Sequence, residues 1–140
     1  GVAEKFDVVL TREKIKIEQN EIQAVILCPT RELSDQVARE IRKLGRRYVG
    51  LQVLTLCGGQ PLREQTLALK KGVHVVVGTP GRILDHLQRE QLPLEQISTL
   101  VLDEADRMLD MGFEEEMQLI GEQEPIGMLA QVTQNDGNQQ

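Results

Sequence analysis

Short apolar runs recur along the chain, and each is followed by a turn and then by apolar residues at helical spacing. Four of these runs predict buried strands, at residues 24–28, 51–56, 73–77 and 98–103. Three amphipathic segments between them predict helices at about 31–44, 61–71 and 80–88. This alternation is typical of βαβ units. It predicts an α/β fold, a three-layer sandwich in which helices cover both faces of a mainly parallel sheet.

Turn and cap residues set the expected bounds of the helices. Pro29 ends the first strand, and the hydroxyl of Thr30 can cap the helix that follows. Gly45 is placed to close that helix, and Pro80 suits the first turn of the third.

The two ends of the chain have weaker patterns. Alternation at 6–10 and at 15–18 predicts strands, and residues 128–133 could supply another. Residues 134–140 are polar, so we expect a disordered tail. The remaining residues, 1–133, are expected to form a single domain.

Composition narrows the class of protein. The 140 residues are 40% hydrophobic and 27% charged, which is typical of a soluble globular domain. The net charge of −6 argues against binding nucleic acid by bulk charge, so any such contact must be local. No run approaches the ~18 apolar residues of a membrane span. Cys28 and Cys57 lack metal-ligand spacing, so we expect reduced, buried thiols in a cytoplasmic protein without membrane contact.

Two acidic residues end the last predicted strand. Asp103 and Glu104 follow the apolar run 100–102, and ligands bind at this edge of parallel sheets. Adjacent carboxylates there suit magnesium and phosphate chemistry, in which one holds the metal through water and the other orients a nucleophilic water. The alternative is a strand end whose acidic residues are stabilised by the dipole of the next helix.

The other β-to-α turns should lie on the same edge of the sheet. They comprise residues 29–32, 58–59 and 79–82. Helix N-termini, exposed amides and the arginines Arg31 and Arg82 together favour phosphate groups. Alternatively, the glycines serve only tight turns, and the arginines pair with nearby acids such as Glu32 and Asp85.

Four strings stand at these predicted strand ends. They are Pro-Thr-Arg-Glu-Leu at 29–33, Gly-Gly at 58–59, Thr-Pro-Gly-Arg at 79–82 and Asp-Glu-Ala-Asp-Arg-Met-Leu-Asp-Met-Gly-Phe at 103–113. In this order they resemble the motifs of the DEAD-box RNA helicases. The residues in and around the motifs are most similar to those of the bacterial DbpA-type members. The resemblance covers about residues 23–113. It implies a first RecA-like domain of the P-loop NTPase type.

The resemblance also implies a role for each motif. The residues that it places against the RNA sugar-phosphate backbone are Pro29, Thr30, Arg31, Glu32, Gly58, Gly59, Thr79, Pro80, Gly81 and Arg82. It implies that Asp103 holds Mg through water, that Glu104 positions the attacking water, and that Asp106 links the nucleotide state to the RNA side. The family's cofactors are Mg and ATP, and its partners are RNA and a second RecA-like domain.

Both ends depart from the family pattern. The G-x-x-x-x-G-K-[ST] loop that cradles ATP phosphates is missing, since none of the 12 glycines is followed by lysine, and no Ser-Ala-Thr motif is present. Residues 6–10 could replace the strand that precedes that loop. We therefore expect a non-family segment at 1–22, a helicase-like core at 23–113 and a divergent end at 114–133.

These departures lead to two interpretations of the chain. In the first, it is an incomplete helicase domain that binds RNA weakly and without sequence preference. ATP and Mg are then not bound productively by this chain alone. In the second, it is a recombined or engineered α/β folding unit with no enzymatic role. A cropped or degenerate gene product would have the same pattern.

Several other side chains favour structural roles. His74 and His86 have no third ligand at metal spacing. The methionines at 108, 111 and 117 are expected in the core. The basic residues between 39 and 47 lie on the polar face of the first helix, which is usually solvated, although this face could help to hold RNA.

Overall fold

A computed structural model describes residues 8–11, 15–44 and 49–127, with the backbone alone for 8–11 and for Leu44. The strands are β1 (Val8–Thr11), β2 (Ala24–Leu27), β3 (Val53–Leu56), β4 (Val75–Gly78) and β5 (Thr99–Leu102). The helices are α1 (Arg31–Leu44), α2 (Leu62–Lys71), α3 (Pro80–Gln88), α4 (Ala105–Asp110) and α5 (Glu114–Glu122).

The five described strands form one sheet in the order β1-β5-β2-β4-β3. β2 lies between β4 and β5, and these strands and β3 run parallel. β1 is antiparallel to β5, with Val8 opposite Leu102 and Thr11 opposite Thr99. The prediction of an α/β fold with a mainly parallel sheet is therefore confirmed, and the antiparallel strand stands at one edge.

Alternate residues of each strand enter two separate cores, because successive side chains point to opposite faces. One core packs Ile26, Val77 and Val101 beneath α1, which contributes Val37 and Ile41. On the other face, the residues that pack against the sheet come from α2, α3, α4 and α5, and they include Leu69, Ile83, Met108 and Ile120. Helices thus cover both faces, as the three-layer prediction required.

The helix starts follow the predicted chemistry. The Leu33 amide donates to the Thr30 hydroxyl at 3.2 Å, so Thr30 caps α1 as expected. Pro80 is the first residue of α3, where a missing amide proton costs nothing. The predicted helix stop at Gly45, the strand at 128–133 and the tail at 134–140 lie outside the described residues.

The predicted strand at 15–18 is wrong. The buried Gln23 side chain accepts from the Lys16 amide at 2.7 Å and donates to the carbonyls of Lys16 and Gln19, each at 2.8 Å. These bonds satisfy backbone groups that a neighbouring strand would otherwise pair. The segment therefore folds as an irregular turn despite its alternating pattern.

β3 forms the sheet edge opposite β1. The Arg42 guanidinium reaches from α1 and donates to the Val53 carbonyl at 3.0 Å. One outward-facing carbonyl of this edge strand is therefore covered by a charged side chain. None of the described helices combines the length and the apolar character needed to cross a membrane.

Candidate nucleic-acid interface

The carboxyl ends of the four parallel strands meet at one edge of the sheet. Hydrogen bonds just beyond the ladder hold the turns together: Cys28 N donates to Gly78 O at 2.9 Å, and Thr79 N donates to Leu56 O at 3.2 Å. Asp103 N donates to Leu27 O at 2.9 Å. The turns at 29–32, 58–59 and 79–82 and the acids at 103–104 therefore share one edge, which we call the carboxyl edge.

The first two turns lie close together at the carboxyl edge. Pro29 is buried and Thr30 is half-buried, whereas Arg31 and Glu32 are exposed. The Arg31 guanidinium nitrogen Nη1 lies 3.7 Å from the point that a β-carbon on Gly59 would occupy. Gly59 has a φ of +87°, which glycine adopts without strain. An exposed cation thus lies over an exposed turn.

The third turn is joined to the second by Arg82. Arg82 Nη1 donates to the Gln60 carbonyl at 3.0 Å and to Gln65 Oε1 at 3.2 Å. The alternative pairing with Asp85 is not what the structure shows, because the Asp85 carboxylate instead binds Arg89 Nε at 2.8 Å. Gly81 is exposed, with open space where a side chain would stand.

The acidic motif follows β5 directly. Asp103 is buried, Glu104 is half-buried and Asp106 is exposed. Glu104 has φ 56° and ψ 55°, a left-handed conformation that is unfavourable for a residue with a side chain. Such strain is often found at functional sites. Within the ranges that the structure describes, no cluster of three histidine, cysteine or acidic residues is arranged to hold a metal.

Two thiols lie beneath the carboxyl edge. Burial raises the pKa of Cys28 to about 12 and also raises the pKa of Cys57. Both thiols are free and buried, as predicted, and at neutral pH they stay protonated and weakly nucleophilic. They are packing groups of this edge and contribute no nucleophile.

The two histidines occupy buried, hydrogen-bonded positions. His74 Nδ1 accepts from the Gln52 amide at 3.0 Å, and its Nε2 lies 2.8 Å from the Ile17 carbonyl. His86 Nε2 lies 2.8 Å from Gln65 Oε1, and burial lowers the pKa of His86. The preference for structural roles over metal ligation is consistent with these contacts.

Two of the three methionines that were predicted in the core lie there, and the third does not. Met108 is fully buried and Met117 packs against the same core, as expected. Met111 is 47% exposed, so its predicted core position is wrong. The reason is that α4 ends at Asp110, and Met111 lies in the turn that follows.

The polar residues that join the turns lie outside the sequence motifs, and they were not predicted from the sequence. Gln65 is 4% exposed and lies on α2 between Leu62 and Leu69, on the stripe that faces the core. A glutamine in such a stripe is the signal that could have identified it, because a buried amide must find hydrogen-bond partners.

The direction of β1 determines whether the connection that follows it can lie beside Asp103 and Glu104. Thr11 pairs with Thr99, so β1 ends beside the start of β5, and Ala24 also pairs with Thr99. The connection from β1 to β2 therefore begins and ends at the edge opposite Asp103. A phosphate-cradling loop has to follow a strand at the carboxyl edge. The proposal that residues 6–10 replace the strand before such a loop is thus unsupported by the direction of β1.

Comparison with known proteins identifies the family to which this chain belongs. The model of the DEAD/DEAH box helicase family matches residues 8–132. The chain belongs to this family of helicases, and it covers part of the first, RecA-like domain.

Individual proteins of similar sequence are also DEAD-box or ATP-dependent RNA helicases. The chain is 58% identical over 91 residues to the ATP-dependent RNA helicase DbpA of Escherichia coli, covering 65% of this chain and 20% of that protein. It is 49% identical over 108 residues to the DEAD-box ATP-dependent RNA helicase CshA of Geobacillus kaustophilus, covering 77% of this chain and 23% of that protein. The chain therefore spans only about a fifth to a quarter of these relatives.

Solved structures share the fold. The yeast DEAD-box splicing factor Prp28 superposes with a TM-score of 0.71 at 36% identity, over 78% of this chain and 25% of that chain. A DEAD box protein from Methanococcus jannaschii gives 0.68 at 44% identity, over 76% and 28% respectively.

Proposed function

We propose that this chain is an incomplete first domain of a DEAD-box RNA helicase whose carboxyl edge binds the sugar-phosphate backbone of single-stranded RNA. The observation that carries the proposal is that three turns converge at this edge. Arg31 lies over Gly59, and Arg82 donates to the carbonyl of Gln60, which follows Gly59. Gly58, Gly59 and Gly81 are exposed residues, and their backbone amides would add donors that suit phosphate oxygens.

Binding of this kind should be weak and insensitive to sequence. Amides and arginines that face phosphates make no contact with base edges, so they carry no base information. Few cations stand at the carboxyl edge, and the net charge of −6 opposes the approach of RNA. In the family, a second RecA-like domain would close over the strand.

Fluorescence anisotropy with a labelled single-stranded RNA tests this proposal. If two or three phosphates are neutralised, the plot of log affinity against log salt should have a slope of about −1.4 to −2.1. Arg31→Ala should lower the affinity and flatten the slope by about 0.7. Lys70→Ala is the matched control. It also removes one positive charge, but Lys70 lies in the last turn of α2, away from the carboxyl edge. Equal losses in the two variants would contradict a specific role for the carboxyl edge.

We further propose that this chain alone does not hydrolyse ATP. Asp103 and Glu104 suit a hydrated magnesium ion, and the family would use them to hold the metal and to orient water, with Asp106 coupling to the RNA side. The phosphates, however, need a cradle beside these acids, and two carboxylates without one have little to position. The antiparallel direction of β1, which leads the chain away from the carboxyl edge, supports this view.

A phosphate-release assay with and without RNA tests the second proposal. The expected result is no turnover above buffer. Turnover that Glu104→Gln abolishes would refute it, since that change keeps the size of the side chain and removes the carboxylate.

The direction of β1 also favours a second candidate, a non-enzymatic α/β folding unit built on a helicase fragment. Such a unit would keep the scaffold without using its edge. The RNA titration separates the two candidates, because the folding unit requires that Arg31→Ala change nothing.

A further inference from the structure

A buried glutamine connects the turns of the carboxyl edge. The Gln65 side-chain nitrogen Nε2 donates to the Cys57 carbonyl at 3.1 Å and to Gln60 Oε1 at 2.8 Å. Its oxygen Oε1 accepts from Arg82 Nη1 at 3.2 Å and lies 2.8 Å from His86 Nε2. One amide thus reaches both sides of the Gly58–Gly59 turn and the first turn of α3.

We infer that Gln65 is a positioning residue that fixes the Gly58–Gly59 turn and Arg82 relative to each other and thereby shapes the proposed RNA surface. This inference rests on the proposed RNA binding. Neither Gln65 nor His86 belongs to any of the four sequence motifs. The amide itself is buried, so it acts through the groups that it holds and does not contact RNA.

The chemistry of the partners fixes the orientation of the Gln65 amide. A backbone carbonyl can only accept, so the nitrogen of Gln65 must face Cys57. An arginine can only donate, so the oxygen must face Arg82. The His86 nitrogen Nε2, which faces the same oxygen, must then carry a proton.

This constraint selects one form of neutral His86, with the proton on Nε2 and the lone pair on Nδ1. Gln91 Oε1 lies 3.1 Å from Nδ1 and 3.0 Å from the Thr66 hydroxyl. A bare Nδ1 can only accept, so we infer that Gln91 presents its NH₂ group to Nδ1 and to the Thr66 hydroxyl, the reverse of the orientation that places Oε1 toward them. Thr66 then donates to the Leu62 carbonyl at 3.0 Å. Each contact from Gln65 through His86 to Thr66 then pairs a donor with an acceptor, as a buried network requires.

The first test uses the unsubstituted chain. Long-range ¹H–¹⁵N spectra of the imidazoles at neutral pH should show His86 with its proton on Nε2. His74 is the internal reference, because its Nδ1 accepts from the Gln52 amide and its tautomer must be the same. A proton on Nδ1 of His86 would overturn the inference without any variant having to fold.

The second test removes the amide by Gln65→Leu, which keeps the bulk of the side chain. We expect His86 to lose its preference for Nε2–H, the amide signals of Gly58 and Gly59 to shift, and RNA affinity to fall about tenfold. Leu69→Ala is the matched control, because it destabilises the same helix from a buried position without touching either turn. It should lower the melting temperature while leaving the tautomer and the affinity unchanged.

The outcomes separate this inference from the proposed function. If the parent binds no RNA but the tautomer and the glycine signals respond to Gln65→Leu, RNA binding fails and the positioning role stands. If the parent binds RNA and Gln65→Leu binds equally well with unshifted glycine signals, the positioning role fails and the RNA surface stands.

Discussion

Replacing Val101 by aspartate should unfold the domain at neutral pH. Val101 is 4% exposed in the middle of β5, opposite Ile26 and in the core beneath α1. Replacing its two methyl groups by a polar group of similar size forfeits about 2 kcal/mol of apolar burial. An ionised carboxylate in this place adds several kcal/mol. The total approaches the ~5–15 kcal/mol that holds a domain of this kind together.

The pH dependence identifies the cause. Burial raises the pKa of the introduced carboxyl in the folded state, so its ionisation opposes folding increasingly as pH rises above the ordinary carboxyl range. In acid the group stays neutral, and the penalty falls to that of an unpaired polar group, about 1–3 kcal/mol.

Chemical denaturation across pH tests this reasoning. Val101→Ala should cost about 2 kcal/mol at every pH, and Arg31→Ala should change stability by no more than about 0.5 kcal/mol. Val101→Asp should be the only one of the three whose deficit grows toward neutral pH. Equal deficits for Val101→Asp and Arg31→Ala would refute the assignment of inside and outside at β5.

Three further predictions concern individual groups. Glu104→Gly should raise the free energy of unfolding by about 1 kcal/mol, since glycine adopts the left-handed conformation freely, whereas Glu104→Gln should not; equal melting temperatures would contradict this. Because burial raises the pKa of Cys28 and Cys57, a thiol reagent should label them only as the chain unfolds, and rapid labelling in native buffer would contradict their burial. The hydrogen bond from Arg89 lowers the pKa of Asp85, and this exposed pair contributes about 0.3–0.5 kcal/mol. That stability is present above the ordinary aspartate range and is lost as pH falls through the lowered pKa. Asp85→Asn should therefore match the parent in acid and lose about 0.3–0.5 kcal/mol at neutral pH, and a loss of more than about 1 kcal/mol there would contradict this reasoning.

The sequence predicted the central part of the fold well, because a strand that is buried on both faces has an unbroken run of apolar residues. The strand β2 is buried along its whole length, and an unbroken apolar run of this kind has few other interpretations. The motifs at 29–33 and 79–82 then fall at strand ends by the geometry of parallel sheets alone.

The direction of β1 could not be predicted in the same way. Val8, Val9 and Leu10 suit a strand that runs in either direction, so these residues do not show which way β1 runs. The irregular turn at 15–18 was missed because one side chain, Gln23, replaces the hydrogen bonds of a neighbouring strand. Such a contact depends on where the side chain lies and has no periodic signature.

The hydrogen-bond network around Gln65 was hidden for a similar reason. His86 and Gln91 are five residues apart, yet Gln65 lies 21 residues before His86, so no local spacing connects the three. Only the packing of α2 beside α3 brings them together. The acids at 103–104 were easy to find by comparison, because a strand end stops an apolar run abruptly.

Among the described strands, β3 has a neighbour on one side only, and this has a consequence for self-association. Its carbonyls at Val53 and Thr55 face away from β4, and an apolar strand with open backbone groups can recruit a strand from another molecule. Arg42 occupies the first of these acceptors, so an incoming strand would have to displace a guanidinium before it could pair. The sheet thus carries a charged gatekeeper on the edge where a second copy would otherwise extend it into a chain of molecules.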